Sequence, residues 1–210
     1  MSGGFSEAER ERIRERLLAE GRDLFAQYGL TKTTIGDLTD AVGIANSTFY
    51  QFFDSKMDLY VKVLEQEGAQ LVPKLVAPLE EHDDPETAIV AFLTTLMDEI
   101  ETNPLVERLL VDTEEMERLR EYHTDAERRQ DREESLGYIL PHVQSWYEAG
   151  EVSGPNPRVI ASAIRSVSFL TLHRDDIGED LYPATRDLVI RSVAAGLTTG
   201  GRRESERQPK

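Results

Sequence analysis

The chain has 210 residues, of which 39% are hydrophobic, and a formal net charge of −16 at pH 7. This length and apolar content are enough to bury a full hydrophobic core. No apolar run approaches the roughly 20 residues that cross a bilayer, and because the N-terminal segment has no apolar stretch we expect no signal peptide. Cysteine is absent, which excludes disulfides and thiolate metal sites. We therefore expect a cytoplasmic protein with no membrane partner.

The acidity extends along the whole chain, which carries 24 Lys+Arg against 40 Asp+Glu. Residues 1–68 alone hold eight basic and twelve acidic side chains, and only five side chains in the entire sequence are lysines. An acidic, lysine-poor surface is typical of halophile proteins, because concentrated salt screens the repulsion between like charges. An ordinary acidic cytosolic protein has the same composition, so both interpretations stay open.

Helical periodicity dominates the first part of the chain. The apolar stripe of the first predicted helix ends at Gly29, which is a typical stop residue. Pro73 and Pro78 are expected to end or kink the fourth helix, and an acidic loop follows at 80–85. The four predicted helices cover residues 6–28, 34–42, 46–53 and 55–71.

The second part continues with amphipathic helices. The segment 113–149 is one long helix or a pair of helices, with a polar middle and a candidate kink at Pro141. Residues 200–210 are expected to form a disordered tail. Since no segment alternates polar and apolar residues as a strand does, we predict an all-α protein. The other predicted helices cover 86–101, a short segment from Pro104, 157–173 and 183–197.

Residues 34–53 have the pattern of a helix-turn-helix. Thr34 and Asp37 form a capping box that begins the first short helix. Gly43 supplies the left-handed residue of a sharp turn, and the second short helix begins in "ANSTFYQFF". In that helix Phe49 and Phe53 are expected to pack inward. The polar side chains between them are then left facing outward.

The run "YG…TTI..L…VGIANSTFYQFF.SK..LY" resembles the DNA-binding domain of the TetR family of transcriptional regulators over about residues 8–64. The later helices resemble that family only in architecture. The resemblance implies a homodimer with one helix-turn-helix on each subunit and a ligand cavity in the C-terminal domain. It also implies that ligand binding separates the DNA-binding domains of the two subunits and releases the DNA.

The resemblance also implies which residues contact a double-stranded DNA operator. Gly36 replaces a side chain that often reaches bases, Ala45 replaces the usual capping Ser or Thr, and Thr39 replaces a frequent alanine. The missing cap at Ala45 is expected to weaken the second short helix by about 1 kcal/mol. The predicted DNA-binding positions are Thr34, Gly36, Asn46, Ser47, Thr48, Tyr50, Gln51 and Lys56.

The rest of the chain is predicted to bind ligand and to dimerise. We expect a helix-turn-helix domain at 1–54 and a ligand-binding and dimerisation domain at 55–199, joined by the connecting helix 55–72. Helices 157–173 and 183–197 would pair with their symmetry mates. We expect no cofactor and no metal site, and the inducer is unknown. Candidate lining residues of the ligand pocket are Phe92, Leu96, Tyr122, Tyr138, His142, Trp146 and Phe169.

Three functions compete at this point. A ligand-responsive transcriptional repressor is favoured, and its hydrogen bonds to DNA would persist in concentrated salt, where counterion release contributes little. A helix-turn-helix protein-interaction module that has lost specific DNA binding is the alternative, supported by the acidity of residues 1–68, Gly36 and Ala45. An enzyme is disfavoured, because the sequence contains no nucleophile elbow, phosphate loop or paired-carboxylate pattern.

Overall fold

The computed structural model describes residues 5–111, 113–124, 133 and 136–205, and every regular element within those residues is helical. The predicted all-α class is therefore confirmed. A 3₁₀ segment, Val167–His173, joins α9 to α10. The α-helices are α1 (Glu7–Lys32), α2 (Ile35–Val42), α3 (Asn46–Phe49), α4 (Lys56–Glu81), α5 (Pro85–Thr102), α6 (Pro104–Val111), α7 (Thr113–Tyr122), α8 (Leu140–Glu148), α9 (Pro157–Ser166), α10 (Arg174–Ile177) and α11 (Tyr182–Ser205).

The chain folds into two compact units. The first unit comprises residues 1–70 together with 103–124, and the second comprises 71–102 together with 125–210. The first unit therefore contains α6 and α7, which the predicted boundary at residue 54 assigned to the ligand-binding domain. The physical reason is burial: Leu105 of α6 is fully buried in the same core as Leu17, Phe25 and Tyr60.

Two of the predicted helix boundaries in the first unit need correction. Helical geometry in α1 breaks at Gly29, as predicted, where φ is +81°, but one further turn follows it to Lys32. The predicted helix 46–53 is much shorter, because α3 ends at Phe49 and tight turns carry the chain onward, with Gln51 N–H bonded to the Thr48 carbonyl at 3.0 Å. Ala45 provides no side-chain cap, as expected from the sequence.

Helix α4 runs through Pro73 and Pro78 instead of ending at them. Each proline lacks an N–H, so the carbonyls of Ala69 and Lys74 lose their usual helical partners. Buried apolar side chains on the same stretch, Leu75 and Leu79, hold it in place. Burial of this face therefore outweighs the local cost of the two prolines.

The second unit is organised around α5, whose apolar side packs mainly against α11 and the 3₁₀ segment. The predicted segment 113–149 is not one continuous helix, because α7 ends at Tyr122; α8 begins at Leu140, with Pro141 in its first turn rather than at a kink, and residues 125–132, 134 and 135 between them lie outside the described residues. The predicted helix 157–173 changes to 3₁₀ geometry after Ser166. Helix α11 continues to Ser205 instead of ending at residue 197, and the rest of the predicted tail, 206–210, lies outside the described residues. Within the described part of the chain, no helix is both long and apolar enough to span a bilayer.

Candidate nucleic-acid interface

The turn between α2 and α3 is fixed by local hydrogen bonds. Thr34 caps α2: its Oγ1 accepts from the Asp37 N–H at 3.2 Å, and the Asp37 carboxylate accepts from the Thr34 N–H at 2.8 Å. Gly43 ends α2 in the left-handed region, with φ of +78°, and its N–H donates to the Thr39 carbonyl at 2.8 Å. The capping box and glycine turn predicted from the sequence are both present, and they set the direction of α3.

Beyond this turn, one side of α3 is apolar and the other presents polar groups. Phe49 is fully buried and Phe53 nearly so, as predicted. On the outer side Asn46, Ser47, Gln51 and Tyr50 are exposed, with Tyr50 at 59%, while Thr48 is half-buried. Tyr50 stands edge-on against Phe49, with ring centroids 5.6 Å apart, so its ring is supported while its hydroxyl reaches solvent. The result is an uncharged surface of hydroxyl and amide groups.

Gly36 and Asn46 face each other across the two short helices. A Cβ at Gly36 would lie 3.4 Å from Thr34 Oγ1 and 4.0 Å from Asn46 Nδ2, and both distances are ordinary contacts. Asn46 Oδ1 accepts a hydrogen bond from the buried Thr39 hydroxyl. Thr39, which stands in place of a frequent alanine, is therefore bonded directly to a candidate base-reading side chain.

Lys56 is engaged within its own unit. Its Nζ donates to the carbonyls of Leu30 and Thr33, both at 2.5 Å, where it binds the end of α1. Burial lowers the pKa of Lys56, and nearby Arg118 acts in the same direction. An ammonium group has three hydrogens, so a phosphate contact from Lys56 would depend on the one that remains.

Three arginines on α1 were not selected from the sequence, yet they contact the reading helices. Arg10 lies over the Phe52 ring at 5.1 Å and donates to the Gln51 carbonyl at 2.9 Å. Arg14 lies over the Phe53 ring at 5.5 Å, and Arg16 donates to the Ala41 carbonyl at 3.3 Å. The i, i+4 spacing of Arg10 and Arg14 was the available signal, but the acidic residues interspersed along α1 obscured it, and Arg16 does not share this spacing.

An acidic side chain lies beside the predicted phosphate contact. Hydrogen bonds from the Thr34 hydroxyl and N–H lower the pKa of Asp37, which keeps its carboxylate ionised at neutral pH. Asp40 is exposed on the same short helix. The outward face thus combines hydrogen-bonding groups with negative charge. Counterion release alone therefore contributes little to the affinity of this face for DNA.

The end of α1 is held by side chains from α6 and α7. The buried Glu115 carboxylate accepts from the Leu30 N–H at 2.5 Å and from the Tyr60 hydroxyl at 3.1 Å. Arg108 donates to the carbonyls of Ala26 and Gln27 at 3.2 and 3.1 Å. Sequence reasoning missed both residues, because no local pattern links positions more than 80 residues apart.

The predicted pocket residues are only partly brought together. Phe92 and Tyr138 have ring centroids 6.3 Å apart, His142 and Trp146 6.1 Å apart, and burial raises the pKa of Tyr138. Two others lie apart from these pairs: Tyr122 belongs to the first unit and is 48% exposed, and Phe169 is 49% exposed. Phe169 faces outward because the chain has changed to 3₁₀ geometry, with three residues per turn.

A shallow, largely apolar groove occurs elsewhere in the second unit, with a volume of about 550 Å³. None of the seven predicted pocket residues contributes to it. Its position on the outward side of α9 makes it a surface feature rather than a closed ligand cavity. The lining residues are Leu136, Asn156, Arg158, Val159, Ser162, Ala163 and Ser166.

Fold and site together define an all-helical protein with an N-terminal helix-turn-helix. Residues 17–63 match the domain family described as "Bacterial regulatory proteins, tetR family". Over these residues the match agrees with the TetR-type helix-turn-helix that the sequence resembles.

Curated relatives match part of the chain. The chain is 31% identical over 90 residues to the HTH-type transcriptional repressor KstR2 of Rhodococcus jostii RHA1, covering 43% of this chain and 44% of that protein. The matched segments span only 33% to 44% of the curated relatives' lengths.

Two solved structures share the fold across most of the chain. A TetR-family regulator from Pectobacterium atrosepticum has a TM-score of 0.71 at 19% identity, covering 98% of this chain and 100% of that one. The regulator FadR from Bacillus subtilis, in complex with stearoyl-CoA, has a TM-score of 0.65 at 13% identity, covering 87% and 98%.

Proposed function

We propose that this protein is a ligand-responsive transcriptional repressor that binds a palindromic DNA operator as a homodimer and leaves it when a small-molecule inducer binds. The observation that carries the proposal is the outward face of α3. Tyr50, Asn46 and Gln51 present uncharged hydrogen-bonding groups on a helix fixed by the turn at Gly43. Hydroxyl and amide side chains of this kind contact phosphates and base edges.

The homodimer is supported by exposed apolar side chains in the second unit. Leu188 on α11 is 67% exposed, and Leu181, Phe169, Leu172 and Val159 are also exposed. Single exposed apolar residues are common, but several on neighbouring elements indicate an interaction surface. We assign this surface to a second copy of the chain, with α9, the 3₁₀ segment and α11 contributing. Two subunits would then read half-sites about 34–36 Å apart, one turn of duplex.

The ligand-binding role draws on the solved neighbours, of which one, FadR, is complexed with stearoyl-CoA. In the present chain we assign it to the interior of the second unit, around Phe92, Leu96, Tyr138 and Trp146, all of them buried or half-buried. Their aromatic and aliphatic character suits an apolar ligand with few polar groups. The chemical identity of the inducer is left open by these residues.

The alternative is a helix-turn-helix protein-interaction module without specific DNA binding. It is favoured by the ionised Asp37 beside Thr34 and by the carbonyl contacts that occupy Lys56. Both features reduce the attraction of this surface for a polyanion. The repressor remains the main proposal, because the exposed amide and hydroxyl groups can form hydrogen bonds to DNA. Such hydrogen bonds persist in concentrated salt, where charge–charge attraction is screened.

The test is fluorescence anisotropy of the full chain with the DNA upstream of its own gene, in KCl from about 0.1 to 3 M. We expect saturable, sequence-selective binding that persists at molar salt and is lost in Tyr50→Ala. Tyr147→Ala, which removes a partly exposed tyrosine from α8, is the matched control and should bind like the wild type. Equal affinity for scrambled DNA would reject this operator. Failure of fragmented genomic DNA as well would favour the interaction module.

A further inference from the structure

The buried hydroxyl of Thr39 connects α2 to the first residue of α3. Thr39 is completely buried, and its Oγ1 lies 2.9 Å from the Ile35 carbonyl oxygen and 3.1 Å from that of Gly36. It also lies within hydrogen-bonding distance of Asn46 Oδ1. A hydroxyl has a single hydrogen to donate. Of the three acceptors, Asn46 Oδ1 is the nearest, and it is the one whose position a hydrogen bond can set.

This contact determines which end of the Asn46 amide faces outward. With Oδ1 against the Thr39 hydroxyl, the amide nitrogen lies on the opposite side, 4.0 Å from where a Cβ of Gly36 would stand. Asn46 itself is exposed. The N–H₂ group is therefore the end of the exposed Asn46 amide that does not contact Thr39, and it lies beside Gly36, which has no side chain to compete for it.

We propose that Thr39 is a positioning residue that fixes the Asn46 amide so that Asn46 donates to a hydrogen-bond acceptor on a base edge in the major groove. The proposal rests on the DNA-binding function proposed above. Suitable acceptors are N7 of the purines, O6 of guanine and O4 of thymine. Cytosine, which presents its N4 amino donor at the corresponding position, is disfavoured at the site that Asn46 reads.

Fixing the orientation of the amide affects base recognition, because one end of an asparagine amide is an acceptor and the other is a donor. With both ends available, its carbonyl accepts from a donor while its amino group donates to an acceptor, a pattern that suits the N6 and N7 of adenine. Held by a buried partner, it offers one face only and loses less rotational freedom when DNA binds. Thr39 thus acts on base discrimination through Asn46, without touching DNA.

The experiment is selection from randomised duplexes with the full-length protein, followed by affinity measurements on all four base pairs at each operator position. Asn46→Ala identifies the position read by this side chain and should lower discrimination there by roughly 5- to 150-fold, the range of one good side chain–base contact. Thr39→Val should reduce base discrimination at the same position and at no other. Thr39→Ser, which keeps the hydroxyl, should retain the preference, and Asn46→Asp should shift it toward cytosine.

The outcomes separate this proposal from its foundation. If wild-type protein selects no sequence, the DNA-binding function fails and the role of Thr39 falls with it. If Asn46→Ala abolishes base discrimination at one position while Thr39→Val retains it, the DNA-binding function stands and the positioning role of Thr39 is overturned. A Thr39→Val protein that loses affinity equally at every position, with a lowered melting temperature, would also overturn it, because Thr39 would then act only in packing.

Discussion

The two units of the chain present opposite kinds of outward surface. In the first, α3 buries Phe49 and exposes amide and hydroxyl groups, while Arg10 and Lys56 donate to backbone carbonyls of their own unit. In the second, apolar side chains such as Leu188 and Phe169 face outward, whereas Arg186 is 12% exposed and paired with Asp98 and Glu101. In both units, therefore, these cationic side chains bind groups of their own unit and stabilise the fold.

The difference teaches that the two surfaces suit different partners. A polar face with little positive charge gains affinity from directed hydrogen bonds and loses little when salt screens charge. An apolar face gains from burial, which concentrated salt does not weaken in the same way. Both surfaces are therefore compatible with a chain of net charge −16, and substitutions in each unit test the comparison separately.

The largest expected effect is in the second unit, at Arg186. Its guanidinium bonds Glu101 at 2.9 Å and also contacts Asp98 and the Thr94 carbonyl at 3.3 Å. Arg186→Met leaves these acceptors without their cation and should destabilise the second unit by about 3 kcal/mol. Urea unfolding followed by circular dichroism measures this, with Arg191→Met, an exposed position on the same helix, as control. Equal stability of the two variants would contradict the assigned role of the pair.

The next effect concerns the apolar surface of the same unit. Leu188→Glu places a charge in the proposed dimer interface twice, once from each subunit, and should weaken dimerisation by about 2–3 kcal/mol, or roughly 30- to 150-fold. Sedimentation equilibrium measures the dissociation constant. Tyr28→Glu makes a similar change at an exposed side chain of the first unit, 47% accessible, and should leave the dimer intact. An unchanged dimer in Leu188→Glu would show that this surface has another partner.

In the first unit the corresponding buried charge is Glu115. Glu115→Ala leaves the Leu30 N–H and the Tyr60 hydroxyl without this acceptor and should cost about 2 kcal/mol. Hydrogen exchange should localise the loss to the end of α1. The neighbouring Glu114 forms an exposed ion pair with Arg118, so Glu114→Ala should cost less than about 1 kcal/mol. If both variants exchange alike, Glu115 does not hold this helix end.

A smaller effect depends on pH and belongs to the second unit. Burial, followed by the hydrogen bond to Glu101, raises the pKa of Tyr182 well above its ordinary value. Above pH of about 10 the unfolded chain loses this proton while the folded chain keeps it, so stability falls as pH rises. Tyr182→Phe should show a shallower loss between about pH 9 and 11 in urea unfolding, whereas Tyr147→Phe should follow the wild type. Identical slopes in all three proteins would rule out this linkage.

Local features of the site were predictable from sequence, and distant ones were not. The capping box at Thr34, the turn at Gly43 and the uncapped Ala45 each follow from a few adjacent residues, and the structure contains all three. The contacts of Glu115 and Arg108 with α1 depend on packing between segments far apart in the chain. No local rule gives such contacts, so the predicted domain boundary missed α6 and α7.

The same distinction explains the errors within single elements. The prolines of α4 were expected to end or kink the helix, because propensity rules do not include the burial of Leu75 and Leu79 that offsets their cost. Lys56 was selected by its position in a motif, which did not reveal that two carbonyls of the same unit bind its ammonium group. Phe169 was selected as an aromatic side chain of the predicted helix 157–173, and the sequence did not reveal the change to 3₁₀ geometry after Ser166.

Footprinting of the wild-type protein on DNA selected from randomised duplexes tests the central claim most directly, because it examines both surfaces at once. If the polar face of the first unit reads DNA and the apolar face of the second pairs two copies, hydroxyl-radical cleavage will be suppressed at two half-sites. Their centres will lie about 10–10.5 base pairs apart and be related by two-fold symmetry. A single protected half-site, or uniform cleavage in protein that is shown to be dimeric, would contradict the account.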